Sequence, residues 1–138
     1  MLTVERVLFL RRIDLFADIP AGELGRIARI AREVCYPAGS VVLEAGEYGD
    51  TLFIIVSGEV DALHDGKVVG TLRAGEYFGE MAVLTGETRS ATIRTAVDCL
   101  LLRIGQAEFH QILAEDFGAV LSVIRTLCKR LGAPDAPK

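Results

Sequence analysis

The spacing of apolar positions changes twice along the chain. Near the start, Val7, Leu8, Leu10 and Ile13 form a short apolar face. Leu24, Ile27, Ala28 and Ala31 then recur at i, i+3, i+4 and i+7, the period of a helix with one buried stripe. Asp18 or Pro20 is placed to open that helix. Arg26, Arg29 and Arg32 fall on its polar side and read as a solvated face. Residues 1–33 are therefore expected to be helical.

From Val34 onward the helical period gives way to short apolar runs between glycine-bearing turns. The turns carry Gly39, Gly46, Gly58, Gly66, Gly75 and Gly86, seven to twelve residues apart. Between them lie the β-rich runs Val41–Leu43, Thr51–Val56, Val60–His64, Val68–Val69, Ala91–Ile93 and Cys99–Ile104. Short strands at this spacing indicate a sandwich or barrel. Asp65-Gly66 is the clearest hairpin turn. From Gln106 the helical period returns through Phe109, Ile112, Leu113, Phe117, Val120, Leu121, Ile124, Cys128 and Leu131. A bend near Asp116–Gly118 splits it into two helices, and Gly132 and Pro134 end it. The order is helix, consecutive strands, helix, which excludes a doubly wound α/β sheet. The expected fold is mainly β with flanking helices: a single domain with a helical segment 1–33, an antiparallel β-roll 34–105, C-terminal helices 106–131 and a tail 132–138.

Composition narrows the function classes. The chain has 138 residues, 51% apolar and 25% charged, which suits one folded domain with one core. No apolar run approaches the length of a membrane span, and no secretory leader is visible. The net charge is −4, with 15 basic and 19 acidic residues. The basic pair Lys129-Arg130 is too small for a nucleic-acid footprint. Cys35, Cys99 and Cys128 are far apart and odd in number; they read as buried apolar residues in a reducing cytosol. His64 and His110 have no metal-ligand spacing, which argues against a metal site and a cupin-like metal enzyme. Ser90 has no His nearby in sequence, and no catalytic constellation is apparent.

The stretch Phe78–Ile93, FGEMAVLTGETRSATI, does not read as a strand. Glu80 to Leu84 suit one or two helical turns opening at Gly79, with Thr85–Thr88 as the next turn. Exposed backbone N–H groups at such a helix start favour an anion, and glycine lets the backbone approach closely. Arg89 adds a planar, permanently charged fork suited to phosphate. Glu80 is suited to accepting hydrogen bonds from hydroxyls. From spacing alone the simpler reading is an ion pair between Glu80 and Arg89 across a turn.

This stretch resembles the phosphate-binding cassette of the cyclic-nucleotide-binding domain family, the group of catabolite-activator and protein-kinase-A regulatory-subunit-like sensors. Phe78, Gly79, Glu80, Met81, Ala82, Arg89, Ser90 and Ala91 match it in type and order, and PAGSVVLEAGEYGDTLFIIVSGEV resembles the family's first strands. The likeness runs from about Phe16 to Leu131, with the cassette at 78–92. It implies an antiparallel jelly roll (a double-stranded β-helix) with N-terminal helices and C-terminal lid helices. It implies a non-enzymatic sensor. Glu80 would accept from the ribose 2′-hydroxyl and Arg89 would pair with the cyclic phosphate. Backbone amides near Ala82 and Ala91, with Ser90, would complete the cradle, and Gly79 would permit close approach. The ligand-binding set is thus Gly79, Glu80, Met81, Ala82, Arg89, Ser90 and Ala91. Where the family often has proline before the arginine, this chain has Thr88. Ser90, rather than threonine, points to cyclic AMP over cyclic GMP.

In the family the C-terminal helix moves as a lid, here Phe117 to Leu131. The expected partners are the cyclic nucleotide and an output domain or partner protein, with a homodimer possible and neither nucleic-acid binding nor membrane insertion by this domain. The domain reads as excised from a larger bacterial protein, cytoplasmic or on the cytoplasmic face of a membrane protein. The alternative is a family member that has lost its ligand and serves as a dimerisation or docking module.

Overall fold

A computed structural model describes residues 1–131. They form two compact units. One contains residues 1–30 and the described residues from Glu108 onward; the other is Ala31–Ala107. The expected tail 132–138, with the helix end at Gly132 and Pro134, lies outside the described residues.

The helical unit contains α1 (Thr3–Leu10), a 3₁₀ turn (Asp14–Phe16), α2 (Ala21–Ile30), most of α4 (Gln106–Glu115) and α5 (Phe117–Leu131). Its core includes Leu10, Ile13, Leu15, Phe16, Leu24, Ile27 and Phe109, all essentially inaccessible to water. Phe16 and Phe109 meet edge to face with ring centres 6.1 Å apart, a favoured aromatic geometry. The 3₁₀ turn is tied to α5 by polar contacts. The Thr126 hydroxyl donates to the Asp14 carbonyl at 2.8 Å, and the Ser122 hydroxyl to that of Leu15 at 3.2 Å. Both side chains are buried, so these bonds satisfy groups that would otherwise be costly to hide from water.

The expected helix to residue 33 is shorter. α2 ends at Ile30, and Arg32 and Glu33 already belong to β1 (Arg32–Tyr36). Two consecutive arginine-rich helical steps disguise the change of period. Arg26 is not merely solvated: its Nη1 lies 2.6 Å from Glu115 and 3.2 Å from Glu23. Leu8 also departs from the expected face: it is exposed, while Val7 is half-buried and Leu10 and Ile13 are buried.

The β unit holds β1, β2 (Val41–Leu43), β3 (Thr51–Ser57), β4 (Glu59–His64), β5 (Lys67–Arg73), β6 (Tyr77–Phe78), the short helix α3 (Glu80–Thr85), β7 (Thr92–Thr95) and β8 (Cys99–Gly105). They make two four-stranded antiparallel sheets, ordered β1-β8-β3-β6 and β2-β7-β4-β5. Phe53, Ile55, Phe78, Cys99 and Leu101 from the first sheet and Val60 and Ile93 from the second form one buried cluster. This is the jelly-roll arrangement the resemblance implied. The expected hairpin is present: His64 pairs with Lys67 across Asp65-Gly66, whose φ values of 52° and 78° are both left-handed. Cys99 is buried, but Cys35 and Cys128 are exposed, contrary to the uniform burial expected for the three thiols.

Candidate ligand site around Arg89

The loop between α3 and β7 folds back onto the turn between β2 and β3. Tyr48 and Thr88 form an isolated antiparallel bridge. The amide of Arg89 donates to the Glu47 carbonyl at 2.7 Å, and the amide of Gly46 donates to the Arg89 carbonyl at 2.9 Å. The main chain of Arg89 is therefore fixed on both sides by residues 46–48. Its side chain then turns inward and is only 7% exposed.

The guanidinium donates to two backbone carbonyls, Gly79 at 3.1 Å and Thr51 at 3.0 Å. Arg89 thus does more than face Glu80 across a turn, since its guanidinium reaches carbonyls on β3 and before α3. Carbonyls satisfy N–H groups without cancelling the positive charge. Burial lowers the pKa of Arg89, and the nearby charges of Asp50, Glu80 and Glu47 oppose that shift.

Two glycines make room for this arrangement. Gly79 precedes α3 with φ at 86°, a region unfavourable for residues bearing a Cβ. A Cβ there would also meet Arg89 Nη1 at 2.7 Å and the Thr51 carbonyl at 2.8 Å. A Cβ on Gly49 would fall inside the Arg89 guanidinium. Gly79 was legible from the sequence as a close-approach glycine; Gly49 was not.

The other expected residues are spread around this centre. Glu80 opens α3 and is half-buried, Met81 is 48% exposed and Ala82 is buried. Ser90 is exposed and Ala91 half-buried, immediately before β7. Of the seven, Arg89 lines an open cavity of about 210 Å³. Its other walls include Val42, Leu43, Gly49, Thr51 and Phe53, with Glu44, Glu47 and Asp50 at the acidic side. Sequence reasoning left these apolar walls unassigned. Strand register brings them together: Phe53 stacks on Phe78 with ring centres 5.2 Å apart, which holds it on the inner face of β3.

Glu44 and Glu47 lie within hydrogen-bonding reach of each other. That shared bond, with partial desolvation and the charge of Glu44, raises the pKa of Glu47, while Arg89 opposes the rise. The cavity thus joins a buried cation to an apolar wall and a carboxylate pair. Such a site suits a small ligand with an anionic end and an apolar ring. No helix among the described residues is long and apolar enough to cross a membrane.

The cyclic nucleotide-binding domain model matches residues 33–116. The chain is 37% identical over 123 residues to a cyclic nucleotide-gated potassium channel of Rhizobium etli, spanning 88% of this chain and 34% of the channel. It is similar to the regulatory domain of Toxoplasma gondii PKA solved with cAMP, with 29% identity and a TM-score of 0.75 over 80% of this chain and 44% of that one. It shares its fold with the regulatory subunit of a cAMP-independent protein kinase A from Trypanosoma brucei, at 21% identity and a TM-score of 0.79, over 96% of this chain and 48% of that one. The chain thus spans about a third of the channel and less than half of either kinase chain. With the family match covering the whole β-roll and the Arg89 site inside it, the chain belongs to the cyclic nucleotide-binding domain family.

Proposed function

We propose that this domain is a sensor that binds a cyclic nucleotide, cyclic AMP in preference to cyclic GMP, and transmits binding through its C-terminal helix. The observation that carries the reading is the buried guanidinium of Arg89, held by the carbonyls of Gly79 and Thr51 at the wall of an open cavity. Burial strengthens its attraction for a phosphate, and its charged forked donors suit phosphate oxygens. Fold likeness alone does not carry the ligand, since the trypanosome neighbour of the same fold is described as cAMP-independent.

The cyclic phosphate meets Arg89, the amides around Ala82 and Ala91, and Ser90. Glu80 accepts from the ribose 2′-hydroxyl, Gly79 permits the approach, and Met81 contributes through its main chain. The base lies against the apolar side of the cavity, toward Val42, Leu43 and Phe53. The role of α5 follows the family resemblance: ligand shifts the helix only by binding one of its positions better than the other. Exposed Phe117 and Ile124 on α5 supply apolar surface for such a second position. The domain acts as a regulator rather than an enzyme, in the cytoplasm, upstream of an output domain or partner protein.

Isothermal titration calorimetry with cyclic AMP and cyclic GMP tests the reading, with Arg89→Ala alongside. Loss of one charge-assisted contact costs about 1.5–3 kcal/mol, about ten- to a hundredfold in affinity. Circular dichroism establishes that the variant is folded. A wild-type chain that is folded and binds neither nucleotide overturns the sensor and leaves the docking-module reading.

A further inference from the structure

A closed ring of hydrogen bonds and short main-chain links joins Arg89 to the start of α4. The Arg89 guanidinium donates to the carbonyls of Gly79 and Thr51. From Gly79 the ring runs through α3. The Gly79 carbonyl also accepts from the Val83 amide at 3.4 Å, and the Val83 carbonyl accepts from Nε2 of Gln106 at 3.3 Å. From Thr51 the ring runs along the chain to Asp50, whose carbonyl accepts from the Gln106 amide at 2.7 Å. The two paths meet at Gln106, the first residue of α4.

Gln106 is therefore held at two points of different kind. Its main chain is tied to β3, by the short bond to Asp50 and by the pairing of the preceding residue, Gly105, with Thr51. Its side chain is tied to α3. That helix ends at Thr85 after six residues, and a helix leaves its last carbonyls to be satisfied from outside. Gln106 does this for Val83 from 23 positions away. Because the two anchors differ, α3 cannot shift against β3 without stretching the ring. The side-chain bond is the longer of the two Gln106 bonds, so it gives first. A change in α3 is thus felt at the first residue of α4, a helix that begins in the β unit and continues into the helical unit.

We propose that Gln106 is the positioning residue through which ligand binding at Arg89 reaches α4. This rests on the cyclic-nucleotide reading above and names the side chain that couples that site to the helices. A bound anion acts on the ring at Arg89 and α3, and Gln106 converts the change into a new setting of the α4 start. Coupling of this kind is reciprocal, so the same bond also tunes affinity.

The test titrates the whole chain with cyclic AMP, following backbone amides by NMR and affinity by calorimetry. Wild type is compared with Gln106→Leu, which removes the donors at similar size, and with Gln111→Leu, which removes an exposed hydrogen bond within α4. Gln106→Glu, of the same length and without a side-chain donor at neutral pH, repeats the test independently of the apolar substitution. In wild type and Gln111→Leu, saturating nucleotide shifts the amides of residues 110–115. In both Gln106 variants those shifts fall to less than half, the shifts of residues 79–85 remain, and affinity changes by less than about tenfold. A side chain that only capped α3 would leave the α4 response intact. Full shifts at 110–115 in the Gln106 variants, or equal loss in Gln111→Leu, overturn the proposal. Wild type that binds cyclic AMP with no shift at 110–115 overturns it while the sensor reading stands. Wild type that is folded and binds neither cyclic AMP nor cyclic GMP overturns both.

Discussion

Arg26 and Arg89 are the same side chain in opposite circumstances. Arg26 lies on the surface of the helical unit and donates to the carboxylates of Glu115 and Glu23; the bond to Glu115 leads the rise in its pKa. Arg89 is buried in the β unit, donates to two carbonyls, and has its pKa lowered by that burial. Arg26 has its charge neutralised where water would have screened it anyway. Arg89 sits where burial makes its charge costlier, with Asp50, Glu80 and Glu47 nearby to favour it. The two arginines differ in their hydrogen-bond acceptors, carboxylates for Arg26 and backbone carbonyls for Arg89, and that difference teaches where to look for a side chain whose donors suit an incoming anion.

The strongest way to break the contrast is to evict Arg89 without touching it. Gly49→Ala places a methyl group in the guanidinium's space. Nucleotide affinity is expected to fall about a hundredfold, near 3 kcal/mol, by titration calorimetry. Wild-type affinity in this variant would show that the buried position of Arg89 is not what binds the ligand.

A smaller effect comes from pH. The raised pKa of Glu47, caused first by its bond to Glu44, means that it gains its proton earlier than an ordinary carboxylate as pH falls. Negative charge beside Arg89 then drops, so affinity for an anionic nucleotide is expected to rise as pH falls through the raised pKa of Glu47. Stability follows the same sign. The folded chain holds this proton more tightly than the unfolded one, so the contribution of Glu47 is lost as pH rises through its raised pKa. Glu44→Gln removes the like charge and moves both changes to lower pH. Calorimetry and denaturant titration across this range measure them; flat affinity would separate Glu47 from the bound anion.

The smallest effect sharpens the other side of the comparison. Arg26→Ala is expected to lower Tm by only about 1–3 °C and to leave nucleotide affinity unchanged. A change in affinity as large as that of Arg89→Ala would erase the distinction between the two arginines.

Much of this contrast was visible before the fold, but unevenly. Strands rich in Val, Ile, Leu and Thr, such as Thr51–Ser57 and Cys99–Gly105, announce themselves through composition. β1 does not, because Arg-Glu-Val-Cys-Tyr carries little apolar signal and follows directly on a helix. β6 is two residues long, below the reach of any periodicity. At the site, Gly79, Glu80 and Arg89 were legible because they lie in one short segment. Gly49, Phe53 and the Glu44–Glu47 pair were not, because strand register and a return loop bring them to Arg89. Arg26 looked like plain surface because Glu115 approaches it from the far end of the sequence.

The amide and carbonyl of Arg89 both bond to residues 46–47, so the length of the 44–50 turn sets where the guanidinium lies. That makes the two ends of the roll unequal as places for grafting. A reporter protein inserted in the 44–50 turn would silence ligand binding. One inserted at Asp65-Gly66, an exposed hairpin tip outside the lining of the Arg89 cavity, would leave the site intact. The hairpin tip is therefore the insertion point from which to build an optical indicator from this domain.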